Sequence, residues 1–341
     1  MSARRATRAA LTAIVFASAA TAVQAQNTQI RGFADVTMRA SDGRQDHSTF
    51  TLGQLDLYIT SALGNQLSFL AETVFEFDDA SEEFASDVER VVVSYAPRPY
   101  FRVAAGKHHT PIGYWNTAYH HGALMQPTIE RPFAVRFEDD GGLMPIHTVG
   151  LLISGRDISR AHLLYDVMVG NGIGGTPDSD NNDKKSVTLS LGSQITSELS
   201  VGASLYRDQA PAGTTALDGS ELGEDLTQSI ASTYVAYFGS RLELIGELHH
   251  LRDEIGTTDA GSNLYFVYAG VRFNRLVPYV RIDRLAVANG DPYLGDGGAR
   301  QGLVGARFDI SATSGVRLEV RRRDDQSGRA TEAAAQIAIA F

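Results

Sequence analysis

The sequence predicts an all-β protein: a transmembrane antiparallel β-barrel of about sixteen strands, with one long loop folded into its lumen. Three observations carry this expectation. Segments of about ten residues alternate apolar and polar side chains, the length a tilted strand needs to cross a bilayer. Past the N-terminus no apolar run approaches the length of a spanning helix, which leaves a closed barrel as the structure able to satisfy every backbone group in lipid. Alternate connections are short turns, and those between them are longer and polar.

The first residues read as an export signal. Arg4, Arg5 and Arg8 form a basic start, Ala9 to Ala20 an apolar stretch, and Val23-Gln24-Ala25 a small-x-small cleavage site. Residues 1–25 are therefore expected to be removed, leaving 26–341 as the barrel. Losing those three arginines takes the formal charge from −10 to −13, which argues against a nucleic-acid partner. The absence of cysteine excludes a disulfide scaffold, a thiolate nucleophile and a thiolate-bound metal.

Strand by strand, the alternation sets Ile30, Gly32, Ala34, Val36 and Met38 outward against Arg31, Asp35, Thr37 and Arg39. Leu55, Leu57 and Ile59 then oppose Gln54, Asp56 and Tyr58, and Phe69, Ala71, Phe75 and Phe77 oppose Ser68, Glu72 and Glu76. Val91, Val93 and Tyr95 face out with Arg90 and Ser94 in, and Phe101, Val103 and Ala105 oppose Arg102. After the long loop, Thr148 to Ser154 and Arg160 to Gly170 resume the pattern, placing His162 and Asp166 inward. Later strands put Glu243, Glu247, His249, Arg281, Asp283, Arg307, Arg317 and Arg321 on the lumen face, and the chain closes on Thr331 to Phe341. Leu63 to Gln66, Ala96 to Pro99, Gly239-Ser240, Asn274-Arg275 and Ser311 to Ser314 read as short periplasmic turns. Tyr58, Tyr95, Tyr100, Phe101, Phe238, Phe273, Phe308 and Phe341, near strand ends, are expected to form aromatic girdles.

Gly106 to His147 breaks this regularity. It gathers five of the nine histidines and the only tryptophan without clear alternation, and reads as a third outer loop narrowing the lumen. Within it, Phe133, Val135 and Phe137 alternate, so an extra hairpin and eighteen strands are an open alternative.

The whole pattern resembles the outer-membrane porins, and the ending AQIAIAF is similar to the signal read by the barrel-assembly machinery. The run AAGKHHTPIGYWN resembles the G-K/R-x-x-T-P-x-G segment that opens the third loop in porins related to the phosphate-selective group. The resemblance implies a passive channel for small polar or charged solutes in the outer membrane of a Gram-negative bacterium. It also implies a homotrimer in contact with lipid and lipopolysaccharide, with no obligatory cofactor and no chemistry. The expected constriction comprises Lys107, His108, His109, Trp115, Asn116, His120, His121, Glu130, Arg131, Glu138, Asp139 and Asp140. Acidic Glu130 and Glu138 to Asp140 would face a basic wall of Arg281, Arg307 and Arg321, producing a transverse field, with Arg102, Asp283 and Arg317 also on the wall. The phosphate-selective members carry a lysine- and arginine-rich path; this interior is mixed in sign.

The same residues admit other chemistry. His108-His109 and His120-His121, with His147, are candidate imidazole ligands for zinc or copper. Adjacent histidines in extended chain point opposite ways, so each pair offers one ligand, and no HExxH signature is present. Loop packing or pore lining is the expected role. Trp115 and Tyr114 read as loop anchors before a sugar platform. Gly170 to Gly175 follows a strand but leads into no helix, so a dinucleotide cradle fails, and Asp178 to Asp183 lacks the glycine and glutamate of a calcium loop. Ser154 with His147 or His162 would be the nucleophile of an alternative hydrolase, with no acid partner identified.

Overall fold

The structure is a computed structural model, and it describes residues 27–42, 48–78, 83–120, 122–137, 141–174, 179–295, 297–326 and 328–341. Sixteen antiparallel strands follow one another: β1 (Asn27–Ser41), β2 (Thr49–Ala62), β3 (Leu67–Asp78), β4 (Glu83–Arg98), β5 (Phe101–His109), β6 (His147–Ile158), β7 (Leu163–Gly170) and β8 (Ser186–Gln194). The circuit continues with β9 (Leu199–Ala210), β10 (Leu226–Phe238), β11 (Leu242–Ile255), β12 (Thr258–Val271), β13 (Leu276–Ala286), β14 (Gly298–Ser311), β15 (Ser314–Asp325) and β16 (Gly328–Ala340). Each pairs with its sequence neighbours, and β1 closes on β16 through pairs such as Val36 with Ile337. Closure leaves no free edge, so ladder groups are satisfied within the wall. The carbonyl and amide of Gly32 bond Phe341 at 2.9 Å, fastening the last residue to the first strand.

Polarity is inside out. On β13, Val280 and Ile282 are 48% and 62% exposed on the outer face, while Arg281 and Asp283 between and after them are fully buried on the lumen side. One strand thus carries a lipid-compatible face and a charged face, as period-two alternation requires. Tyr95, Tyr100, Phe101, Phe273, Phe308 and Phe341 are exposed on the outside, as girdle residues should be. Tyr58 and Phe238 are corrections to that set. Tyr58 packs edge-on to Phe33 and under Arg90, and Phe238 packs against Tyr114 and Tyr119 of the inward loop, so both serve the lumen.

Three sequence expectations change. The connection between β5 and β6 is 110–146, because Gly106 to His109 pair with Gly150 to His147 and lengthen the hairpin at both ends. Among the described residues there is no extra hairpin: Phe133–Val135 form a single 3-10 turn after Pro132, and the barrel has sixteen strands. Loop lengths alternate less strictly than the sequence implies, since β11–β12 and β15–β16 are also joined by tight turns at the outer end.

The lumen has two unlike halves. Ile112, Trp115, Ala134, Val135, Met144 and Ile146 of the loop pack with Leu264, Phe266, Tyr268 and Tyr279 of β12 and β13 in one apolar cluster. Strand β12 carries apolar residues on both faces, with Tyr265 and Val267 outward and Leu264 and Phe266 inward. The loop therefore covers the β10–β14 side. The open space remains beside β1, β2, β15 and β16.

Candidate functional site: the inward loop and the space it leaves

The 110–146 loop is pinched at its base, where the Thr110 amide donates to the Ile146 carbonyl at 2.8 Å. Its regular structure among the described residues is one four-residue helix, α1 (Trp115–Ala118), and the 3-10 turn. A segment this irregular has many backbone groups without internal partners, and burying them unpaired is costly. Carboxyl and guanidinium side chains of the wall meet them. Glu247 accepts from the Tyr114 and Trp115 amides at 3.0 and 2.6 Å, holding the start of α1. Asp56 accepts from the Gly122 amide at 2.9 Å, and Glu319 accepts from the Ile129 amide at 2.7 Å. Arginines serve the carbonyls: Arg317 donates to Leu124 and Gln126 at 2.6 and 2.5 Å, and Arg281 to Glu130 and Arg131 at 2.6 and 3.3 Å. Charge-assisted bonds of this kind are the stronger class.

Within the loop, Arg131 donates to the carbonyls of Val135 and His120 at 2.6 Å each, and Asn116 bridges Thr110 and Ile146 through its amide nitrogen. Trp115 is wholly buried, edge-on to Phe266 at 5.6 Å. These residues anchor the loop.

The expected wall arginines divide by task. Arg281 and Arg317 are buried in the loop contact and do not line open space. Arg307 lies in a network with Glu243 and Asp309, both at 3.0 Å, where Arg272 also pairs. Arg102 donates to Ser94, and Asp283 holds Arg281 and Gln301. Arg321 does face open space. It pairs with Glu130 of the loop at 2.6 Å and with Glu332, and Arg39 of β1 pairs with the same two carboxylates. Burial by itself would push the Glu130 carboxyl up, but Arg321, Arg39 and Arg136 outweigh it and hold the group at about 2.

The space beside this knot is a cavity of about 1030 Å³ between the loop and the β1–β2–β15–β16 wall. Its described lining carries five arginines (Arg39, Arg131, Arg136, Arg321, Arg323) against three carboxylates (Asp35, Glu130, Glu332). A second cavity of about 440 Å³ lies on the other side of Phe137, where Glu76, Asp87 and Glu89 outnumber Lys107. One compartment is basic and the other acidic.

The structure draws together one histidine from each expected pair. His109 and His120 stack at 3.4 Å between ring centroids, and the Nε2 atoms of His120 and His147 lie 2.7 Å apart. His108 is buried on the wall. His121, Glu138, Asp139 and Asp140 lie outside the described residues. His162 sits on the β6–β7 turn with positive φ, paired to Asp157 at 2.5 Å, so it does not join Ser154. Glu89 was missed by alternation. A bulge between β3 and β4 opposes Glu72 to Arg90 and Thr73 to Val88, so Glu89 turns inward beside Arg90. A carboxylate at an outward-parity position was the available signal.

Comparison with solved structures agrees with this architecture. The chain is similar to an anion-selective porin from Comamonas acidovorans (15% identity, TM-score 0.65, covering 93% of this chain and 100% of that one). This is the fold of the outer-membrane porins. OmpF of Salmonella typhi is similar over 92% of this chain and 97% of that one (11% identity, TM-score 0.65). OmpT, an outer-membrane protein of Vibrio cholerae, is similar over 93% and 98% (11% identity, TM-score 0.65). No protein-family model matches the sequence, and no curated protein sequence does.

Trp115, the only tryptophan, reports on loop docking directly. Arg281→Met removes the bonds to the Glu130 and Arg131 carbonyls and is expected to weaken docking by roughly 2–3 kcal/mol. Acrylamide should then quench the Trp115 emission more steeply than in wild type; an unchanged slope would mean the apolar contacts suffice. A carboxyl held below its ordinary value stabilises in full above that value and ceases to do so as the pH falls through its folded value. The Glu130 contribution, read as the quenching difference between wild type and Glu130→Gln, should therefore be constant from about pH 7 to about pH 5 and vanish toward pH 2.

Proposed function

We propose that this protein is a passive diffusion channel for small polar or charged solutes across the outer membrane. The observation that carries the reading is the lumen itself. A long loop is docked inside a closed barrel, and a polar space of about 1030 Å³ is left between it and the β1–β2–β15–β16 wall. The outward apolar face supports a lipid setting with lipopolysaccharide at the outer rim, and the porin-type fold supports a homotrimer; OmpT has a trimer form. No residue is assigned catalytic work.

The solutes favoured are anions. Arg39, Arg136, Arg321 and Arg323 outnumber the carboxylates in the narrow space, and a charge excess inside low-dielectric walls biases passage toward the opposite sign. The pairing of Glu130 with Arg321 supports the transverse field expected from the sequence, and Arg39 and Glu332 complete a knot of two arginines and two carboxylates. The Comamonas porin is described as anion-selective, which agrees with this reading.

Mature protein in a planar bilayer is expected to give stepwise, ohmic conductance with a reversal potential on the anion side under a salt gradient. In Arg39→Gln/Arg321→Gln, Glu130 and Glu332 lose two of their partners and the reversal potential should cross toward cations. Correctly inserted protein that stays silent at every voltage would end the channel reading. Conducting protein whose selectivity ignores the double substitution would place the selective region elsewhere.

A further inference from the structure

We propose that His109, His120 and His147, with Glu89, form a binding site for one divalent transition-metal ion of the zinc and copper class at the outer mouth of the lumen. Four separate pieces of chain supply these groups: the β4 bulge, the end of β5, the inward loop just past α1, and the first residue of β6. The three imidazoles each bring a ligand atom within 4.8 Å of the others. Glu89 places a carboxylate oxygen 2.6 Å from His147 Nε2 and 3.9 Å from His120 Nε2. A tetrahedral zinc ion with ligands at about 2.0–2.1 Å keeps its ligand atoms about 3.4 Å apart, so these separations bracket the need.

The hydrogen bonding orients one ring for this task. The Asn116 amide nitrogen donates to the carbonyls of Thr110 and Ile146 at 2.9 and 3.2 Å, which fixes which end of the amide is oxygen. That oxygen lies 2.8 Å from His120 Nδ1, so Nδ1 carries the proton and donates. In the neutral ring Nε2 then presents a lone pair toward His147 and Glu89. A metal-bound histidine is held in this way, by donating its other N–H to an oxygen. His147 Nε2 lies between His120 Nε2 at 2.7 Å and a Glu89 carboxylate oxygen at 2.6 Å, so the donor atoms converge on one point.

Surroundings and access agree. Phe137 lies edge-on to His120 at 5.1 Å and parallel to His147 at 6.0 Å, giving the cluster an apolar flank. Glu89 and His147 also line the acidic outer cavity with Glu76 and Asp87, whose charge draws cations in. Nitrogen and oxygen donors without thiolate select the borderline divalent ions. A bound ion would tie both ends of the loop to β4.

The test uses the full mature chain, folded in detergent and stripped with a chelator, then dialysed against Zn²⁺. One ion per chain is expected, and X-ray absorption of the zinc-loaded protein should show imidazole scattering with about four nitrogen and oxygen ligands near 2.0–2.1 Å. His147→Gln and Glu89→Gln, each shown to be folded by its heat-shifted mobility on a gel, should weaken binding at least about tenfold. Failure of the wild type to retain an ion, a spectrum without imidazole, or equal affinity in both folded variants would overturn the site. The wild-type spectrum decides the matter by itself if the variants do not fold. None of these readouts depends on conductance.

Discussion

The structure depends on carboxyl and guanidinium side chains of the barrel wall binding the backbone of the inward loop. Residues 110–146 contain one turn of α-helix and one 3-10 turn among the described positions, so their amides and carbonyls need outside partners. Glu247, Asp56 and Glu319 take the amides, and Arg281 and Arg317 take the carbonyls. A neutral wall would meet the same groups with weaker bonds. The apolar contact of Trp115, Val135 and Ile146 with Phe266 and Tyr268 adds attraction without direction, and the charged groups add register.

This arrangement decides where open space remains in the lumen. Charges spent on the loop are withdrawn from the lumen, so the strongly basic β13 and β15 positions Arg281 and Arg317 contribute no open surface. What lines the open space is the knot of Arg39 and Arg321 around Glu130 and Glu332, with Arg323 and Arg136 beside it. The loop is thus the obstruction, and it adds Arg131 and Arg136 to the lining of the space that remains. Across Phe137 the balance reverses, and the histidines and Glu89 stand on the acidic side.

Much of the barrel was legible in the sequence because a closed wall with an apolar outer face and a polar inner face imposes period two on every strand. The alternation around Arg281 and Asp283, and around Glu243 and Glu247, places the right side chains on the right face. Three things escaped it. The bulge at Glu89 slips the parity of one strand by one residue, and its sole trace is a carboxylate where an apolar residue belongs. The docking wall for the loop is written in β12 as apolar residues on both faces, a pattern that alternation alone treats as noise. The partners of Arg281, Arg307 and Arg317 follow from where a loop with no repeat folds back, and no spacing rule encodes that. One rule about the histidines holds at the first pair: neighbours in extended chain diverge, and His109 joins the cluster while His108 does not.

Amide hydrogen exchange on the folded protein tests the central interaction most directly. If wall carboxylates hold the loop, the Tyr114, Trp115, Gly122 and Ile129 amides exchange as slowly as amides within the strands, although they belong to no sheet. Exchange of those four at the rates of an unstructured peptide, with the strands still protected, would contradict the account.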